Sequence, residues 1–345
     1  MKWQCYSIAG SSFHFGRLSG SQEDSSVVFP SDSLFAALVH TAAQTLPSAA
    51  FEAWISGFAS GRPDFLLTSA FPRASSVRFY PMPLLRDHID FDALGIQLKA
   101  VKKTAFISEA LFKRILSGES VSIVLDPDNA VPLQGKKVRV SHDEYQNLPD
   151  AVKTGGKLWS AEKRPRVTLD RASAASALFF SGHVDFAPEC GLWFALSERK
   201  KAEIDIDVLL QKLADQGFGG LRSAGFGAAG LEKSEEIELP NADAGRWINI
   251  SRYLPAPDEV PAVLTGETAY TLEEVGGWLY SPGIRAERRR MVHMLAEGSV
   301  LNTSGKALYG SMADVQPDYE GTRPVGHPVW RNGYAAAVGL AERQE

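Results

Sequence analysis

The stretch Gly217-Phe218-Gly219-Gly220-Leu221-Arg222-Ser223-Ala224-Gly225-Phe226-Gly227 sets two Gly-Phe-Gly triplets around five residues that hold one arginine and one serine. Glycine reaches positive φ without a side-chain clash and lets a second chain approach its amides, so a loop of this kind can cradle a phosphate backbone. A helix exit followed by tight turns is the plainer reading, but a turn needs only one or two glycines, and here the pattern repeats with phenylalanines between them. Gly225 to Gly230 also spells G-x-G-x-x-G, which in a nucleotide fold follows a strand and opens a helix. The order here is reversed. Ile206, Leu209, Leu210 and Leu213 recur at helical spacing after Asp205, a candidate cap, and Leu231 to Leu239 reads as a strand. Gly217 suits the helix end. No G-x-x-x-x-G-K-[ST] occurs, so neither nucleotide loop is expected.

Working outward, 345 residues suffice for two domains, and 44% hydrophobic with 22% charged residues is the composition of an ordinary globular protein. No apolar run reaches bilayer length and no signal segment is evident, which gives the expectation of a cytoplasmic protein without a membrane partner. A formal net charge of −5 argues against indiscriminate coating of nucleic acid but leaves room for a local basic groove. Basic residues cluster at Lys102 and Lys103, at Lys136, Lys137 and Arg139, at Lys163, Arg164, Arg166 and Arg171, and at Arg285, Arg288, Arg289 and Arg290, each most simply a solvated face. Cys5 and Cys190 belong to no metal or redox motif and read as buried, reduced thiols.

From Trp3 to Phe15 the chain reads as an interrupted strand with Phe13 and Phe15 on one side and His14 on the other. Pro30-Ser31-Asp32-Ser33 then caps a helix striped by Leu34, Phe35, Leu38 and Ala42. A second helix over Phe51 to Phe58 and strands over Phe65 to Phe71 and Val77 to Tyr80 fit the opening of a ferredoxin-like unit. Residues 81–164 read as an insertion, with a helix over Lys102 to Leu116 and a hairpin joining Val121 to Leu125 with Lys137 to Val140. Strands restart at Leu178 to Phe186 and Leu192 to Leu196, with further candidates at Trp247 to Leu254, Thr268 to Tyr280 and Gly333 to Leu340. The expected architecture is α+β: an N-terminal ferredoxin-like (RRM-like) domain over 1–165 with its insertion, and a second over 166–345 carrying the glycine-rich loop.

Seven histidines show no metal-ligand spacing, and His88, Asp90 and Asp92 on one side of a possible strand read as a solvated edge, so no metal or cofactor is expected. No G-x-S-x-G elbow is present. His14 alone suggests acid–base work, without a recognisable partner.

The glycine-rich loop matches G-h-G-x5-G-h-G (h, hydrophobic), and on it the chain resembles the RAMP superfamily of CRISPR RNA-binding proteins. Phe13-His14-Phe15-Gly16, Ser31-Asp32-Ser33-Leu34-Phe35, Phe79-Tyr80-Pro81-Met82-Pro83-Leu84, Lys102-Lys103, Val167-Thr168-Leu169-Asp170-Arg171 and His327-Pro328-Val329-Trp330-Arg331-Asn332-Gly333-Tyr334 extend the likeness to the fourth-subunit family of the Csm (type III-A) effector complexes. That resemblance implies a non-catalytic subunit, not an enzyme, that holds the 5′ repeat-derived handle of the CRISPR RNA and caps the complex beside the large polymerase-like subunit and a backbone RAMP subunit. It also implies a thumb-like hairpin, expected in the insertion. Handle contacts are expected from His14, Gly16, Ser31, Arg252 and the residues Gly217 to Gly227, with Phe218 and Phe226 as aromatic platforms beside Arg222, and more weakly from Lys102, Lys103, Lys163, Arg164 and Arg171. Two alternatives stay open: a metal-independent CRISPR RNA-processing endoribonuclease using His14, and a purely protein-binding scaffold.

Overall fold

Trp3, Cys5, Tyr6 and Ile8 are buried along β1 (Lys2–Ala9), more than one face of a solvated strand supplies, because β1 is paired on both edges. One neighbour is β11 (Cys190–Glu198), in the register Tyr6↔Phe194 and Ile8↔Leu192, and the other is β12 (Gly230–Glu238). The Tyr6 and Phe194 rings stack at 5.1 Å between centroids. This computed structural model describes residues 1–16, 23–85, 98–169, 176–201, 203–243, 245–279, 287–319, 321, 323 and 325–342.

The fold is mixed α+β with several sheets. The largest runs β12-β1-β11-β4-β5-β6-β8-β7, with β3 also on β11. Here β3 is Phe65–Leu67, β4 is Phe71–Ala74, β5 is Val77–Pro81, β6 is Phe106–Ser108, β7 is Ala130–Leu133 and β8 is Val138–Ser141. Helices α1 (Ser31–Thr45) and α2 (Ser48–Ala59) cover the sheet, burying Leu34, Phe35, Leu38, Trp54 and Phe58 against Phe65 and its neighbours. Both cysteines are free and buried, and desolvation pushes the Cys5 thiol up to about 12 and Cys190 to about 11.

Three local readings need correction. No side chain caps α1: Pro30 holds the cap position, while the Ser31 hydroxyl accepts from the Arg252 amide at 2.8 Å. The helix expected over Lys102 to Leu116 is broken. It splits into α3 (Leu98–Lys103) and α4 (Glu109–Leu116) around β6, because Phe106 and Ile107 gain more from pairing antiparallel to β5 and parallel to β8 inside the core than a continuous helix offers. Val121–Val124 forms a 3₁₀ turn capped by the Ser120 hydroxyl, and β7 takes its place beside β8. The stretch around 81–164 thus extends the edge of the main sheet and ends in two short helices, α5 (His142–Gln146) and α6 (Asp150–Gly155).

The chain then forms a long hairpin of β9 (Trp159–Leu169) and β10 (Ser176–Phe186), eleven residues each, spanning roughly 35 Å at about 3.3 Å per residue. Its base is tied down by β2 (Ser12–Phe13) through Val184↔Phe13. Opposite residues share a face, so register Leu178↔Val167 and Ser176↔Leu169 gathers apolar side chains on one side, where Val167, Leu169 and Leu178 are more than half exposed. Arg164 and Arg166 lie on the other.

Helix α7 (Ile206–Gln216) follows, and here the sequence reading holds: Asp205 Oδ1 accepts from the Val208 amide at 3.2 Å and Leu209, Leu210 and Leu213 are buried. Beyond β12, β13 (Arg246–Asn249) is flanked by β18 (Val300–Asn302) and β21 (Ala337–Leu340) over a core of Trp247, Tyr253, Leu301 and Tyr309. A short helix, α8 (Val260–Val263), lies between β13 and a ladder in which β14 (Leu272–Val275) and β15 (Trp278–Leu279) pair with β17 (Val292–Leu295) and β16 (Glu287–Arg288). Strands β19 (Met312–Asp314) and β20 (Trp330–Asn332) complete the chain.

Candidate nucleic-acid interface

Helix α7 ends where the Gly217 amide meets the Leu213 and Ala214 carbonyls, both at 3.0 Å. From there the loop is sewn to the N-terminal strand: the Gly220 amide donates to His14 O at 2.9 Å, Gly227 to Ser12 O at 2.8 Å, and Phe218 closes on Gly227 O at 2.8 Å. Gly219 and Gly227 are obligatory by contact as well as by φ. A Cβ on Gly219 would stand 2.6 Å from His14 O, and one on Gly227 only 2.2 Å from Phe218 O. Leu221 adopts a left-handed φ of 54°, a conformation that costs an L-residue roughly 1–2 kcal/mol. Among the described residues the amides of Gly219, Leu221, Arg222 and Ser223 have no acceptor in the protein. A run of unsatisfied, partly exposed N–H groups in a turn is an anion cradle.

The phenylalanines do not serve as platforms. Phe218 is fully buried and Phe226 is 3% exposed, so their rings anchor the loop and only their backbone is available. Phe226 packs on His183 with centroids 4.9 Å apart and carries the guanidinium of Arg164 at 5.2 Å and of Arg166 at 5.8 Å. The basic side of the β9–β10 hairpin thereby closes over the loop. Arg222 is exposed and its Nη1 donates to Gln216 O at 3.2 Å.

Beside the loop lies a cavity of about 460 Å³. His14, Gly16, Ser33, His40, Gln216, Gly217, Gly219, Gly220, Arg222, Arg289 and Arg331 line it, and among the described residues no carboxylate does. His14 is 8% exposed and its Nδ1 donates to Gly182 O at 2.6 Å, which leaves Nε2 as the ring's acceptor when neutral. Arg331 is buried, paired through Nη1 with Asp32 and through Nη2 with Gly276 O at 2.7 Å. The Arg289 guanidinium is lowered to about 10 by burial first and by the neighbouring Arg331 next, with Asp32 opposing.

The expected site residues therefore divide. His14, Gly16 and the glycine loop converge, with Arg164 behind the loop. Ser31 and Arg252 instead belong to an internal network: Ser31 accepts from the Arg252 amide and donates its own to Ser69 Oγ at 2.9 Å, while Arg252 Nε lies 3.2 Å from Glu297. Lys102 and Lys103 are exposed at the end of α3 and do not line the cavity. Lys163 pairs with Glu23 at 3.1 Å. Arg171, Arg285, His88, Asp90 and Asp92 lie outside the described residues. Arg289 and Arg331 were visible only as members of a basic run and of the closing block, and nothing local separates a buried arginine there from a solvated one.

Among the described residues no helix is long and apolar enough to cross a membrane, and no three His, Cys, Asp or Glu side chains gather as a metal site.

A helix leading into a G-h-G-x5-G-h-G loop, stitched to the N-terminal strands of an α+β fold, is the arrangement on which the chain resembles the RAMP superfamily. The family described as "CRISPR Csm4 C-terminal domain" matches residues 242–340. The "CRISPR system Cms protein Csm4" of Methanocaldococcus jannaschii is 24% identical, covering 89% of this chain and 86% of that relative. That of Streptococcus thermophilus is 23% identical over 92% and 93%. The solved Csm3-Csm4 subcomplex of a type III-A interference complex superposes with a TM-score of 0.64 at 17% identity, covering 98% of this chain and 99% of the other. A Csm1-Csm4 cassette in complex with pppApA gives 0.57 at 16% identity over both whole chains. Over most of its length the chain thus resembles the Csm4 proteins of type III-A CRISPR effector complexes, and its residues 242–340 match that family's C-terminal domain.

Proposed function

We propose that the protein is a non-catalytic RNA-binding subunit that holds the 5′ repeat-derived handle of the CRISPR RNA and caps its effector complex. The observation that carries this reading is the cradle: four unsatisfied amides beside the exposed Arg222, next to a cavity with no carboxylate among its described lining residues. Such a surface takes phosphates wherever the strand passes and suits single-stranded RNA on an otherwise acidic protein. The solved relatives assembled as Csm1-Csm4 and Csm3-Csm4 support a large subunit and a backbone RAMP subunit as partners. Two ferredoxin-like domains divided near residue 165 are part of this proposal. The thumb that the resemblance implies, expected within 81–164, is assigned instead to the β9–β10 hairpin, which starts at Trp159 and runs past the insertion to Phe186, because it is long, amphipathic and basic toward the loop.

The test combines binding and cleavage. The purified chain, alone and with its large-subunit partner, is incubated with labelled repeat RNA and with a guide carrying the handle at low and high salt. Handle-dependent binding without cleavage is expected, weakened by Arg222→Ala with no loss of thermal stability. Metal-independent cleavage within the repeat that disappears in His14→Ala would replace this reading with the endoribonuclease. Absence of binding in either setting would leave a protein scaffold.

A further inference from the structure

Arg289 is a half-buried cation without an ion-pair partner among the described residues. Its Nε has no hydrogen-bond partner, and no carboxylate lies within ion-pair distance of it among the described residues. The one acid nearby, Asp32, is already engaged by Arg331, whose own Nε is likewise without a partner. Two arginines thus stand near one carboxylate, which only Arg331 engages, at the wall of a cavity with no acid among its described lining residues. Removing a charge from water is costly unless an opposite charge or several hydrogen bonds compensate it. The same cavity is lined by Gly219 and Arg222, whose amides have no acceptor in the protein, and by Ser33, on the first turn of the fifteen-residue α1, the end at which the helix dipole favours an anion. Among the described residues the side chains that line the space include three cations, Arg222, Arg289 and Arg331, and no carboxylate.

We infer that this cavity is a phosphate site for one internucleotide phosphate of the bound RNA, with Arg289 as its direct cation and Arg331, clamped by Asp32 and Gly276 O, as the residue that positions Arg289. The inference rests on the RNA-binding reading above and adds to the glycine cradle a second, deeper contact supplied by the last hundred residues. Arg289 recognises charge, not sequence, so its contribution is the same whatever bases flank the phosphate. Arginine suits the position because its planar fork grips two phosphate oxygens and its charge survives burial.

The experiment measures binding of a short single-stranded RNA carrying the repeat-derived 5′ end to the full chain with its large-subunit partner, across a range of KCl. Wild type is compared with Arg289→Gln and Arg289→Lys, with melting temperature recorded for each. Arg289→Gln is expected to weaken binding roughly tenfold or more, alike for RNAs of altered base sequence, and to reduce the slope of log K against log salt by about 0.7. Arg289→Lys is expected to restore the slope with incomplete recovery of affinity. A methylphosphonate scan of the RNA supplies an arm independent of folding: one neutralised phosphate is expected to cost wild type as much as Arg289→Gln does, and to cost Arg289→Lys less. Unchanged affinity and slope in Arg289→Gln, with wild type binding the RNA, overturns the inference and leaves the RNA-binding reading intact. So does a scan in which no single phosphate matters more to wild type than to Arg289→Lys. Failure of wild type to bind the RNA at all removes the RNA-binding reading, and the inference with it. Displacement of the RNA by millimolar inorganic phosphate from wild type but not from Arg289→Gln would mark the site as one for a free anion and would also overturn it.

Discussion

Replacing Gly227 by alanine isolates what the loop's closure is worth. The new Cβ would stand 2.2 Å from Phe218 O, so the backbone must move, and the residue must also hold a φ of 81°. The φ term costs roughly 1–2 kcal/mol. Movement breaks the Phe218 to Gly227 and Gly227 to Ser12 hydrogen bonds, each worth about 1 kcal/mol net. The expected destabilisation is therefore about 3–4 kcal/mol, a ceiling being set by local opening of the loop and partial undocking of Phe218, whose burial is worth roughly 1.5–3 kcal/mol. Gly225→Ala is the internal control, since its φ is 89° but a Cβ there meets nothing within 4 Å. It should cost only the φ term. Urea denaturation followed by tryptophan fluorescence reads both, as a shift in midpoint at constant m-value. If the two variants lose the same stability, the close approach of residues 218 and 227 is not what shapes the loop and the reasoning fails.

Asp32→Asn should be among the most damaging conservative changes, about 3–5 kcal/mol, because it strands Arg331 and Arg289 as like charges in a buried setting. A double-mutant cycle with Arg331→Met should recover much of that loss, and full additivity would refute the pair. Acid should weaken the edge of the main sheet. Burial opposes ionisation of Glu109, but Arg78 at 2.6 Å and Lys113 at 2.6 Å hold its carboxyl below the ordinary value. A depressed folded pKa gives stability that is present above the unfolded carboxylate range and is lost as pH falls through the folded value. Glu109→Gln should therefore flatten the stability curve below about pH 4.5 relative to wild type, measured by urea midpoints across pH.

What was legible in the sequence was what the chain settles locally. Asp205 as cap, the Leu209–Leu210–Leu213 stripe and Gly217 at the exit fall within twelve residues of one another, and each was read correctly. Helix α1 was visible for the same reason. The helix drawn through Phe106 and Ile107 failed because β6 exists only by virtue of β5 and β8, and the latter lies some thirty residues downstream. Ser31 has the composition of a cap or a phosphate ligand, and only the fold shows that its hydroxyl serves Arg252, 221 residues away. The phenylalanines of the loop were misassigned because alternation with glycine says nothing about which side of a loop the core lies on. Arg331 is coupled to Asp32 across 299 residues, so no local pattern could announce the pair.

The position of β1 between β11 and β12 has a consequence for synthesis. Its partners begin at Cys190 and Gly230, so the first strand to leave the ribosome waits for the chain to reach Glu238 before both of its edges are satisfied. At roughly 5–20 residues per second that interval is on the order of 10–50 s. During it the apolar strand has only water or a chaperone for company, and the glycine loop, which is fastened to the same N-terminal segment through Ser12 and His14, has not yet been made. The glycine loop consequently cannot close before Gly227 is made, well after both of its N-terminal anchors, while β13 to β21 are still to come.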